Sequence, residues 1–178
     1  MDIRTFLTVL LLIFLSGCST IKVSTDYDPN TDLNSSKEFA IVHKTLEGEN
    51  TLTSDRIISA LKSELRKKGY IEVSQKEADL YFLFHTGVTS KIRIDRDYQY
   101  VNMYPYSYGY GYHAVAVPRT REYTYNEAKL IVDAVLPDKN KIVWRGTAID
   151  YLKDYDTPQQ KTRYINKVLK ALMKSFPK

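Results

Sequence analysis

A single cysteine, Cys18, is all that the sequence contains, so no intrachain disulfide can hold the fold and packing has to do so. Histidine is also scarce: His43, His85 and His113 stand apart, none with a ligand partner at metal-site spacing. The motifs His-Glu-x-x-His and Gly-x-Ser-x-Gly are missing, as is a phosphate-binding glycine loop. Zinc-protease, serine-hydrolase and nucleotide-binding chemistry therefore find no signature. No apolar run reaches the roughly 20 residues that a membrane-spanning helix needs. The apolar run from Phe6 to Phe14 is far shorter.

That short run has a use of its own. A charged start (Asp2, Arg4) precedes it, and small residues follow it directly before Cys18. This pattern predicts a secretory signal peptide over residues 1–17. The stretch Leu15-Ser16-Gly17-Cys18 resembles the bacterial lipobox. The resemblance implies cleavage before Cys18, diacylation of its thiol and acylation of the new amino terminus. Several chains make such an anchor firm, because each buried methylene adds about 0.8 kcal/mol. Ser19, where an aspartate would signal inner-membrane retention, implies the outer membrane, with the domain expected to face the periplasm.

The remaining residues, 18–178, suffice for one domain with a real core. Charged residues at 26% and hydrophobic ones at 43% give a globular balance. The formal charge is 26 minus 21, or +5, which suits anionic lipid headgroups or acidic wall polymers. Export puts nucleic acid out of reach.

Periodicity then divides the chain. Strands are predicted at Ile21–Tyr27 and Phe39–His43, joined by turn chemistry at Asp28-Pro29-Asn30. The spacing Asp26-x-Asp28-x-Asn30-x-Asp32 looks like a calcium loop but has Thr31 in place of the glycine and Lys37 in place of the glutamate. An Asx turn is the expected role. A helix over Thr53–Lys68 should be capped by Thr53, carry Asp55 in its first turn and stop at Gly69. Ile57, Ile58, Leu61 and Leu65 form its apolar stripe. Tyr70–Val73 and Ala78–Val88 read as strands, the second central, with an alternating continuation to Asp97. Tyr123–Val135 and Lys141–Tyr151 make a hairpin through Pro137-Asp138-Lys139-Asn140. Pro158 opens a last amphipathic helix with a basic far side. The predicted class is α+β: a mainly antiparallel sheet, two amphipathic helices on one face, and a projecting Tyr/Gly-rich hairpin or loop.

Several short motifs follow one another along the chain: Val23-x-x-Asp26-Tyr27-Asp28-Pro29, Lys68-Gly69-Tyr70, Ala78-Asp79-Leu80 and Tyr125-x-Glu127 ahead of Leu130-Ile131-Val132-Asp133. Ile142-Val143-Trp144-Arg145-Gly146-Thr147-Ala148 and Phe176-Pro177 complete the set. In this order they resemble the motifs of the domain of unknown function 4136 family of bacterial lipoproteins. The family carries no assigned activity, so the resemblance implies no catalytic residue. Trp144 and Gly146 share a strand face, and Gly146 is expected to make room for a neighbour.

What is abundant is tyrosine, 15 in all. Tyr98, Tyr100, Tyr104, Tyr106, Tyr108, Tyr110 and Tyr112 fall on even positions, so in an extended chain their rings would share one side. Asp95 and Asp97 flank this run on one arm, Arg119 and Arg121 on the other. Tyrosines so placed can stack on sugars, sit at a membrane interface or anchor a protein. The acidic pairs Glu47/Glu49 and Asp154/Asp156 fall in expected loops, and no metal or cofactor is called for. The sequence is therefore read as a non-enzymatic lipoprotein, anchored through Cys18. It would bind an envelope component (peptidoglycan or an outer-membrane protein) or support assembly of an outer-membrane complex. A cell-wall glycan hydrolase and a self-associating structural lipoprotein are the alternatives.

Overall fold

The structure, a computed structural model, describes residues 20–103 and 113–177. Six strands and two helices follow one another as β1 (Lys22–Tyr27), β2 (Glu38–Ile41), α1 (Thr51–Lys67), β3 (Ile71–Glu72), β4 (Leu80–Met103), β5 (His113–Leu136), β6 (Lys141–Tyr151) and α2 (Pro158–Met173). All strands join one sheet in the order β1-β6-β5-β4-β2-β3. β1, β6, β5 and β4 pair antiparallel, whereas β2 runs parallel to both β4 and β3. The sheet is therefore mixed, and the mainly antiparallel expectation is corrected. The cause is α1: it carries the chain back between β2 and β3, and such a crossover is what parallel neighbours require.

The helix ends follow from local chemistry. Asn50, not Thr53, caps α1, its side chain accepting from the Thr53 N–H. The helix thus starts earlier than expected, and Asp55 falls beyond its first turn. At the other end the Gly69 N–H donates to Arg66 O and the Tyr70 N–H to Leu65 O. This double closure needs a left-handed residue, and Gly69 supplies it at φ 88°. In α2, Thr157 caps and Pro158 occupies the first turn, where a missing N–H does no harm.

Both helices cover the sheet face formed by even-numbered residues of β4, β5 and β6. Leu80, Phe82, Leu130, Val132, Ala134 and Trp144 meet Leu61 and Leu65 of α1 and Leu169 and Leu172 of α2. A register shift beside Ala134/Val135 brings Val143 and Trp144 both into buried positions. The Trp144 indole lies over Gly146, where a methyl group would stand inside the ring's van der Waals contact. Gly146→Ala should therefore destabilise the protein by about 1–3 kcal/mol, the ordinary cost of overpacking. Chemical denaturation checks this, since a lowered midpoint at unchanged slope is the expected signature.

The loop after β1 is an Asx turn. Asp28 Oδ1 accepts from the Asn30 N–H at 3.0 Å, and its other oxygen accepts from the Thr31 hydroxyl at 2.8 Å and from Lys141 Nζ at 2.5 Å. The Lys141 bond, followed by the two from the turn, holds the Asp28 carboxyl well below the usual carboxylate range. A depressed pKa adds stability that is present above the unfolded value of about 3.9 and is lost as the pH falls through the folded value. Lys141→Met should thus lower stability at pH 7, by an amount that shrinks as the pH falls toward the folded value, and so shift the acid-unfolding midpoint upward. Circular dichroism against pH reads both.

Candidate functional site: the projecting ribbon

From Lys91 outward, β4 and β5 run on by themselves. β6 ends at Tyr151 opposite Glu127, and β2 leaves β4 after Ile41 opposite Phe82. The thirteen pairs from Lys91↔Tyr125 to Met103↔His113 thus have no third strand beside them among the described residues. At about 3.3 Å per residue this ribbon reaches roughly 40 Å from the sheet. At its base the Ser90 hydroxyl donates to Asn126 Oδ1 at 2.6 Å.

The register places Asp95 opposite Arg121 and Asp97 opposite Arg119, so the flanking charges of the sequence do face each other. The Arg121 guanidinium is raised above its ordinary value by hydrogen bonding to Tyr123, then by the charges of Tyr123, Asp97 and Asp95. Arg93 Nε also donates to Asp95 Oδ1 at 2.6 Å. Pro118 lies opposite Tyr98, where an edge tolerates the missing donor.

Strand alternation gives the ribbon two unlike faces. The even-numbered face carries Ile92, Ile94, Tyr98 and Tyr100. It continues the face that buries Phe82 and Phe84 in the core, but among the described residues no helix covers it here. Tyr98 and Tyr100 are 65% and 73% exposed, and Ile92 67%. The odd-numbered face is polar and aromatic, with Arg93, Asp95, Tyr123 and Tyr125. There Tyr125 meets Tyr151 of β6 edge to face, ring centres 5.0 Å apart.

Of the residues picked out from sequence, Tyr98 and Tyr100 therefore lie on one side of the ribbon. Tyr104, Tyr106, Tyr108, Tyr110, Tyr112 and Cys18 lie outside the described residues. The sequence reading missed the aromatic cluster on the opposite face. Its signal was the alternation Tyr123-x-Tyr125, overshadowed by the denser tyrosine run before it.

His43 stacks on Phe84 at 4.4 Å, and its Nε2 lies 2.9 Å from Glu49 Oε1, which also accepts from the Ser54 hydroxyl. The carboxylate sits between serine and imidazole, so the imidazole cannot take the serine proton as a catalytic triad requires. Asp150 and Asp154 line one cavity. Burial pushes the Asp150 carboxyl up, but hydrogen bonds from Thr20, Tyr164 and the Tyr151 N–H outweigh it and leave it below its ordinary value. A glycosidase acid needs the opposite shift. Among the described residues no three His, Cys, Asp or Glu side chains are grouped to hold a metal ion.

Residues 23–178 match the family described as Domain of unknown function (DUF4136). The chain belongs to the DUF4136 family. No curated protein sequence matches it. Among solved structures, a PDZ domain protein from Parabacteroides distasonis is similar, at 14% identity and a TM-score of 0.50. That alignment covers 98% of this DUF4136 chain but 41% of the other protein, so this chain spans well under half of that neighbour. The PelC dodecamer from Paraburkholderia phytofirmans aligns at 8% identity over 86% of this chain and 94% of that one, with a TM-score of 0.51. At these identities the likeness is one of fold.

Proposed function

We propose that this DUF4136 chain is a lipid-anchored envelope lipoprotein, held at the outer membrane through acylated Cys18. It binds another envelope component there and supports assembly of an outer-membrane complex, without catalysing a reaction. The ribbon carries this reading. A two-stranded hairpin alone is marginal in water, yet here, among the described residues, Ile92, Ile94, Tyr98 and Tyr100 are uncovered and both strand edges are open. Open edges and an apolar face are what strand addition by a protein partner uses. Peptidoglycan, which would stack on the rings, uses the face but not the edges, and an outer-membrane protein is the better fit.

A second copy of the chain is the alternative partner. It is favoured by the dodecameric assembly of PelC, whose fold is similar.

The test replaces Ile92, Ile94, Tyr98 and Tyr100 with serine in the full chain, expressed in a bacterium with an outer membrane. Detergent-solubilised complexes are then sized, and binding to cell-wall sacculi is measured alongside. The parent should migrate as a high-mass complex that the variant loses while its thermal transition is kept. Sacculus binding without any complex would replace the protein partner with the wall, and released glycan would overturn the non-enzymatic reading. Cys18→Ala should release the chain from membranes and remove the acyl mass.

A further inference from the structure

Where the ribbon leaves the sheet, a cavity of about 490 Å³ opens between the sheet and the two helices. This lies within the range of about 300–1,000 Å³ usual for small-molecule sites. Ile57 of α1, Leu130 and Ala148 of the sheet, and Ile165, Val168 and Leu169 of α2 wall it with hydrocarbon. Val88 also lines it and begins the uncovered apolar face that continues through Ile92 and Ile94.

The polar groups of the cavity differ in how far they are satisfied. Asp150 accepts from the Tyr164 hydroxyl and the Tyr151 N–H, each at 2.9 Å, and from the Thr20 side chain. It has little left to offer a ligand. The Tyr155 hydroxyl is buried and has no hydrogen-bond partner among the described residues. A buried hydroxyl in that condition is destabilising until an acceptor reaches it. The walls are largely hydrocarbon, the Tyr155 hydroxyl is the buried donor left over among the described residues, and Lys129, Lys153 and Lys161 add cationic donors to the lining, a combination that suits a hydrocarbon chain ending in a carbonyl or carboxylate.

The first described residues are also close. Ile21 lines the cavity and Thr20 bonds Asp150. Cys18 precedes Thr20 by two residues, a backbone reach of at most about 7 Å.

We propose that this cavity holds one long acyl chain, its tail against Ile57, Leu130, Ile165 and Val168 and its carbonyl oxygen accepting from Tyr155. The acyl group comes either from the anchor on Cys18 or from a membrane lipid. Only the first source rests on the function proposed above.

The test uses cis-parinaric acid, a fatty acid that fluoresces on entering an apolar site, with the full-length chain and its Cys18→Ala form. Thr86 and Ala128 line the cavity, exposed and half-buried respectively, and can be enlarged without disturbing the core. Thr86→Trp and Ala128→Trp should each weaken binding about tenfold or more while keeping a cooperative thermal transition. If one variant fails to fold, the other decides. Saturated fatty acids used as competitors should gain about fourfold in affinity per added methylene.

Saturable binding to both forms, weakened by the tryptophans, supports the proposal with membrane lipid as the source. Binding to the Cys18→Ala form alone supports it with the anchor as occupant. Absence of binding to the Cys18→Ala form, or binding that the tryptophans leave unchanged, overturns it. Intact mass of the parent reports acylation separately. A chain without acyl mass that still binds the probe would sink the anchoring claim and leave the cavity's role standing.

Discussion

Replacing Phe176 with alanine should destabilise the protein by about 3–5 kcal/mol, although the residue lies beyond the last helix. Position in the chain would argue for tolerance, since terminal residues are commonly poorly held. Packing argues against it. Phe176 is 2% exposed, and its ring meets those of Trp144, Phe82 and Tyr70 at 5.0, 5.3 and 5.5 Å. The Trp144 and Phe82 contacts are edge-on, the arrangement in which aromatic pairs add stability beyond the area they bury. The backbone is fixed too, with Phe176 O accepting from Lys68 Nζ at 2.6 Å. Alanine there would leave a cavity bounded by three large side chains from α1's exit, β4 and β6, none of which can move in without leaving its own strand or turn. For a chain of this size the loss is expected as a fall in Tm of roughly 10 °C. A change within about 2 °C would mean that the C-terminal segment does not close the core. Phe176→Leu, which keeps most of the volume, should recover more than half of the loss.

The same aromatic group shows where the sequence was legible. Element order was readable because each helix has its own punctuation: Gly69 ends one, and Pro158 begins the other. The strand running out past the core to Asp97 was legible from alternation, and the opposition of Asp95 with Arg121 and Asp97 with Arg119 then follows from a register that pairing alone can fix. Strand direction was not legible. Phe39–Ile41 and Ile71–Glu72 are too short to carry a pattern, and a two-residue period reads the same in parallel and antiparallel strands. The cap of α1 was missed because Asn50 and Thr53 are both good caps, and what selects Asn50 is a tertiary arrangement. Glu49, just before it, bonds Ser54 and lies 2.9 Å from the ring nitrogen of His43 on the far side of β2. The cavity beside Tyr155 has no sequence signal at all. Its residues come from both helices and three strands, and only the fold assembles them.

Arg145→Ala should cost about 1–3 kcal/mol, and the reason lies in motifs that sequence alone leaves scattered. Asp26, Asp133 and Arg145 are spread over the chain, but the registers Asp26↔Arg145 and Asp133↔Arg145 set them in one row across β1, β6 and β5. The row lies on the face opposite the helices. Arg145 grips Asp133 with two hydrogen bonds, Nε to Oδ1 at 2.6 Å and Nη2 to Oδ2 at 2.7 Å. That grip, then the charges of Asp133 and Asp26, raises the Arg145 guanidinium above its ordinary value. Exposure is unequal: the Arg145 side chain keeps 47% of its surface in water while Asp133 keeps 5%. Removing the arginine therefore strands a desolvated carboxylate, the costly way to break such a pair. Removing both charges is different. Asp133→Leu combined with Arg145→Leu should return to within about 1 kcal/mol of the parent, because a matched apolar pair avoids both desolvation penalties. Urea denaturation of the four members of this double-mutant cycle measures the coupling directly. A single Arg145→Ala variant as stable as the parent would show that water already solvates Asp133. A double variant as unstable as the single one would mean that the row fixes strand register and not merely charge balance. The DUF4136 motifs would then be marking the alignment of β1, β6 and β5, on which the base of the ribbon depends.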